Sequence, residues 1–102
     1  MKAWRREEIR IARLTGGQRV TTKGAEAPDV IGPLMVIEVK ERARLPQWMT
    51  VALAKLRNHA KEKQLPVVVL HERGSHQRLA ICRLEELLRW IHRDVVGEES
   101  DA

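Results

Sequence analysis

The sequence predicts an α/β fold with elements in the order α-β-β-β-α-β-β-α, a mixed sheet flanked by helices. Three observations carry this expectation. Segments with helical spacing of apolar residues alternate with short runs rich in Val, Ile and Leu. Glycine and proline punctuate the boundaries at Gly16-Gly17, Gly32-Pro33, Pro46 and Pro66. The length of 102 residues, 43% of them apolar, supports one layered core and leaves little for a second domain.

Residues 4–15 read as a short helix, with Trp4, Ile11 and Leu14 on one side and Gly16-Gly17 as its stop. Residues 18–23, with Val and Thr, read as a strand; Gly24 to Pro28 is a loop, and Asp29-Val30-Ile31 starts a second strand. After the Gly32-Pro33 turn, Leu34 to Lys40 is the strongest strand in the chain. Pro46 suits the first turn of a helix running to about Gln64, with Trp48, Ala52, Leu56 and Ala60 on its stripe. Val67 to His71 reads as a strand of the buried type, Glu72 to Gln77 as a turn, and Arg78 to Arg83 as the last strand. Leu84 to Val96 closes the fold as a helix, with Leu84, Leu87, Leu88, Ile91 and Val95 facing inward. A right-handed helical crossover is expected between the third and fourth strands. Residues 1–96 are expected to form a single domain, and the acidic residues 97–102 a flexible tail.

The charge balance is basic: 19 Lys+Arg against 14 Asp+Glu, a net charge of +5. Such a field favours a polyanion, most often nucleic acid. Arg5, Arg6, Arg19, Lys23, Arg42, Arg44 and Lys55 all precede residue 60 and are the candidate phosphate contacts; a solvated charged face is the plain alternative. One cysteine, Cys82, excludes an internal disulfide framework and a Cys-rich zinc site. The four histidines show no metal-ligand spacing. The N-terminal stretch MKAWRREEIR lacks the apolar run of a secretory signal, and no segment approaches the ~20 apolar residues of a membrane span. A soluble, cytoplasmic protein without membrane partners is expected.

The candidate chemistry lies at Asp29, Glu38 and Lys40. Alternation along a strand puts Glu38 and Lys40 on the same side, with Val39 opposite. The turn at Gly32-Pro33 makes a hairpin that brings Asp29 near Glu38. Two converging carboxylates repel unless a cation lies between them, and hard oxygens with retained waters are what Mg²⁺ takes, with Mn²⁺ as a substitute. The carbonyl of Val39 is a further oxygen for that ion. The metal would acidify a bound water and neutralise charge on a phosphate, while Lys40 positions that water or stabilises the same charge. These parts suffice for phosphodiester hydrolysis. The bland alternative is a surface ion pair between Glu38 and Lys40, with Asp29 as a turn residue.

Pro28-Asp29 followed by Glu38-Val39-Lys40, on a hairpin after a helix and before a long helix, resembles the PD-(D/E)XK nuclease superfamily. The chain is more similar still to archaeal-type Holliday junction resolvases and their phage-encoded relatives. The resemblance runs through Glu8, Gly16-Gly17, Gln18-Arg19-Val20, Leu45-Pro46-Gln47-Trp48 and Leu65 to Glu72, covering roughly residues 5 to 95. It implies a restriction-endonuclease-like core and a metal-dependent, structure-selective DNA endonuclease. It implies Asp29 and Glu38 as metal ligands, Lys40 as the catalytic lysine, and Glu8 as an additional acid, with Glu7 as the alternative on the same turn. The glutamine that many members carry on the long helix has no clear counterpart, and Lys55 is the candidate for its place. The implied substrate is branched DNA, four-way junctions above all. Two symmetric nicks in a junction require two sites, hence a twofold homodimer. A non-catalytic basic DNA-binding or interaction module on the same fold is the second reading.

Overall fold

A computed structural model describes residues 2–21, 24 and 26–96. Its elements are α1 (Ala3–Thr15), β1 (Gln18–Arg19), β2 (Val30–Ile31), β3 (Val36–Ile37), α2 (Gln47–Arg57), β4 (Val68–His71), β5 (Arg78–Ile81) and α3 (Leu84–Trp90), the last running into a π-helical stretch (Ile91–Val96). The order is the expected one. The chain divides into two compact units, Met1–Ala43 and Arg44–Ala102.

In the first unit α1 ends where the glycines predict. Gly16 takes the left-handed conformation at φ 68°, and the Gly17 N–H closes the helix on the Ala12 carbonyl at 2.8 Å. Gly17 is required for a second reason. A Cβ there would sit 2.7 Å from the Ile31 carbonyl oxygen and 2.9 Å from the Gly32 Cα, so the end of α1 meets the β2 backbone too closely for any side chain. The inner face of α1 differs from the expected one. Glu8 and Ala12 are buried, while Trp4 and Leu14 are exposed. Glu8 and Ala12 are one helical turn apart and so share a face.

The three strands of this unit form an antiparallel sheet in the order β1-β2-β3. Val30 faces Arg19 on one side and Ile37 on the other, and it is fully buried at the centre of the sheet. Gly32 N–H to the Met35 carbonyl, 2.8 Å, closes the tight turn between β2 and β3. Each strand is only two residues long, shorter than the sequence predicts over 18–23, 29–31 and 34–40. The chain still runs alongside its neighbours: Val20 N–H donates to the Asp29 carbonyl at 3.0 Å and Asp29 N–H to the Ile37 carbonyl at 2.9 Å. Beyond that the acceptor is no longer a strand carbonyl. The Val39 N–H donates to the Asp29 side chain, and regular pairing stops there.

In the second unit Pro46 stands just before α2 and its carbonyl accepts the Met49 N–H at 3.1 Å. The helix stops at Arg57 rather than Gln64. Both His59 and Ala60 donate to the Leu56 carbonyl, and the Gln64 side chain then takes the Lys61 N–H at 2.9 Å, replacing the helical bond with a local turn. Its buried residue is Leu53, one position along from the expected stripe; Ala52, Leu56 and Ala60 are half-buried and Trp48 is exposed. β4 and β5 form an antiparallel hairpin in the register Val68↔Ile81 to His71↔Arg78. Gly74, at φ 84°, turns the chain between them. β4 is not of the buried type. A two-stranded sheet leaves one face open, so Val68 and Leu70 are half-buried and Val69 is 60% exposed.

Strand pairing is therefore antiparallel throughout the described residues, in two sheets rather than one mixed sheet. β3 pairs only with β2 and β4 only with β5, so the expected crossover joins no parallel pair.

Glu86 in the first turn of α3 ties the second unit together. Its Oε1 meets Arg57 of α2 at 3.3 Å and Arg83 at 3.4 Å. Burial pushes this carboxyl up, and the hydrogen bonds and charges of Arg57 and Arg83 outweigh that, leaving its pKa below the ordinary value. Half-buried Cys82 has its thiol pKa raised, by burial first and then by the negative charge of Glu86. Among the described residues no helix is long and apolar enough to cross a membrane. The tail 97–102 lies outside the described residues.

Candidate active site

The first unit holds a pocket of about 460 Å³. Its walls come from one face of α1 (Trp4, Arg5, Glu8), from β1 and the residues after it (Arg19, Val20, Thr21), and from the loop leading into β2 (Pro28, Asp29). Two of the four predicted catalytic residues, Glu8 and Asp29, line it.

Glu8 faces inward because its helical position matches that of Ala12, and its side chain is only 10% exposed. Glu7, on the same turn, is half-buried. A buried carboxylate needs a partner, and Arg19 supplies it. Both Nε, at 3.2 Å, and Nη2, at 3.1 Å, donate to the same oxygen, Oε1. Among the described residues Oε2 receives no hydrogen bond. Arg19, one of the expected phosphate contacts, is 26% exposed and spends Nε and Nη2 on Glu8.

Asp29 stands at the start of β2. The register Val30↔Ile37, carried one residue further, sets it opposite Glu38. Its Oδ2 accepts the Val39 N–H at 2.6 Å. The aspartate of the Pro-Asp pair is thus bound to the middle residue of Glu38-Val39-Lys40. Glu38 and Lys40 lie on one side of the chain, as alternation requires, with Nζ and Oε2 3.8 Å apart. Both are about two-thirds exposed and neither lines the pocket.

Among the described residues no three His, Cys, Asp or Glu side chains gather as a metal site. The predicted donor set needs only two carboxylates and the Val39 carbonyl. Mg²⁺ is commonly held by one or two carboxylates with waters completing the octahedron, so this hard-oxygen set fits it.

The other predicted DNA contacts divide between the units. Arg5 lines the pocket, its guanidinium 5.5 Å from the centre of the Trp4 ring. Arg6 is exposed on α1. Arg42 is exposed and bonds to the Glu41 carbonyl at 2.9 Å. Arg44 and Lys55 belong to the second unit and are exposed there. Lys23 lies outside the described residues.

Two features escaped the sequence reading. Trp4 was expected in the core but lines the pocket, four residues before Glu8 and therefore on the same face of α1. Its spacing from Glu8 was the available signal. The pairing of Arg19 with Glu8 spans 11 residues and depends on how β1 returns along α1, for which the sequence carries no local sign. Searches against protein-family models, curated proteins and solved structures found no match to this chain.

Proposed function

We propose that this chain is a magnesium-dependent, structure-selective DNA endonuclease of the PD-(D/E)XK kind, with a restriction-endonuclease-like core and four-way junctions as its substrate. The observation that carries the reading is the register that sets Asp29 opposite Glu38, with Lys40 on the same side of the chain as Glu38. It brings the acid of the Pro-Asp pair to the acid and the lysine of the Glu-Val-Lys segment, which is the donor set the proposed chemistry needs. A cytoplasmic homodimer, with one site for each nick, completes the proposal.

In this reading Asp29, Glu38 and the Val39 carbonyl would hold the metal, which when bound would acidify a water and offset charge on the scissile phosphate. Asp29 has one oxygen committed to the Val39 amide, which fixes the carboxylate and leaves Oδ1 for the ion. Lys40 turns from its loose 3.8 Å pairing with Glu38 toward the phosphate, where its charge matches that developing on the non-bridging oxygens. Glu8, held through Oε1 by Arg19, keeps Oε2 to orient the attacking water.

The second reading is a non-catalytic basic DNA-binding or interaction module. It is favoured by one observation: Glu38 and Lys40 pair with each other in an exposed setting, as surface residues do. Purified protein incubated with a four-way junction, a flap and a linear duplex separates the two. Cleavage of branched DNA with Mg²⁺ or Mn²⁺ is expected, and its loss in chelator, in Asp29→Asn and in Glu38→Gln. Binding without cleavage in every metal tested establishes the second reading.

A further inference from the structure

Trp4 has no part in the chemistry above, yet it occupies a distinctive place. The chain contains three aromatic residues, all Trp. Trp4 is 40% exposed, which forgoes burial of the largest apolar side chain. It lines the 460 Å³ pocket that holds Glu8 and Asp29. It also lines a second recess of about 360 Å³ with Arg42, just past Lys40 in the chain. The ring thus borders both the pocket that holds Glu8 and Asp29 and the Glu41-Arg42-Ala43 segment that follows the Glu-Val-Lys residues. The Arg5 guanidinium lies 5.5 Å from the ring centre, a cation–π distance, which steadies the ring and sets a positive charge beside it. An accessible indole with Arg5 beside it matches what an unstacked nucleobase with its phosphate needs: an aromatic face for the base and a cation for the backbone; Glu41 shares the second recess with Arg42, so the cation there is offset. A base inside an intact duplex is already stacked on its neighbours and gains nothing from such a ring. A base at a branch or an end is free to use it.

We propose that Trp4 is a stacking seat for one unpaired or unstacked base beside the scissile phosphate, and so a determinant of selectivity for branched over linear DNA. The inference rests on the reading that DNA lies over this pocket, but its test does not depend on cleavage.

The experiment measures binding with Ca²⁺ in place of Mg²⁺, by fluorescence anisotropy. The probes are a flap carrying 2-aminopurine at its first unpaired position and a linear duplex of the same length. Trp4→Leu keeps an apolar side chain without a ring, and Trp4→Phe keeps a ring; circular dichroism checks that each folds. Trp4→Leu is expected to weaken flap binding by roughly 10- to 100-fold and to leave duplex binding within about twofold. Trp4→Phe is expected to restore most of the loss. The 2-aminopurine emission, quenched on binding by the wild type, should stay bright with Trp4→Leu. Equal loss on flap and duplex, or no loss on either, overturns the seat. Absence of metal-dependent cleavage with flap selectivity still following residue 4 overturns the nuclease reading and leaves the seat standing.

Discussion

Substituting Arg19 by alanine removes the only described partner of a carboxylate that is 10% exposed. Breaking a buried ion pair from one side costs about 3–5 kcal/mol, because the remaining charge loses its compensation while still out of water. The pocket beside Glu8 is open to solvent, which lets water reach the stranded carboxylate and puts the expected cost at the lower end, about 3 kcal/mol. The reverse change, Glu8→Ala, strands a guanidinium that is 26% exposed and can turn outward, so its cost should be nearer 1 kcal/mol. The double variant has no stranded charge and should cost well under the sum of the singles, with a coupling of roughly 1–3 kcal/mol. Urea unfolding followed by circular dichroism measures all four corners of the cycle. Additive losses, or an Arg19→Ala cost below about 1 kcal/mol, would show that Glu8 is not held by Arg19 and refute the reasoning.

Three further outcomes are expected. The Glu86 carboxyl has a lowered pKa in the folded chain, so it contributes stability above the ordinary carboxylate range that is lost as pH falls through the folded value. Glu86→Gln should therefore be about 1 kcal/mol less stable than wild type at pH 7, with the gap closing as pH falls below the ordinary carboxylate range; a gap independent of pH contradicts the assignment. Gly17→Ala forces a Cβ against the backbone of Ile31 and Gly32 and should destabilise by about 1–3 kcal/mol in urea melts, whereas Gly24→Ala, with open space around it, should be near neutral. DNA affinity should fall with salt at a log–log slope of roughly −5 for six phosphate contacts, with Arg19→Gln leaving the slope unchanged and Arg42→Gln making it shallower by about one. A flat salt response would mark the basic residues as a solvated face.

The element order was legible in the sequence because each boundary carries its own chemistry: glycines at 16 and 17, the Gly32-Pro33 turn, Pro46 and Pro66. Lengths were not. The strand over Leu34 to Lys40 looks continuous by composition, and nothing local says that an aspartate side chain will intercept the Val39 amide. Which strands pair was not legible either, since pairing between distant strands is decided by ladders and not by the apolar character of each run. Helical spacing of apolar residues groups Trp4 and Leu14 with Ile11 on one side of α1, and both are exposed. The tertiary contact of α1 is instead organised around Ala12 and Glu8, whose burial makes sense only with Arg19 beside it. The alternation that set Glu38 and Lys40 together, and the register that set Asp29 opposite Glu38, were both readable because they depend only on strand periodicity and one tight turn.

In the proposed nuclease Asp29 would divide its two oxygens between the Val39 amide and the metal, and that would constrain how the chain can drift. One oxygen closes the hairpin by holding the Val39 amide, and this need persists whether or not the protein cuts anything. If the proposed catalysis were lost, Glu38 and Lys40 could be exchanged freely, since both are exposed and, among the described residues, paired only with each other. Position 29 would stay confined to residues that present an acceptor at that reach, asparagine foremost. An Asp or Asn at 29 would therefore report on the architecture of the hairpin, and under the proposed function the acid at 38 would be the better witness to the chemistry.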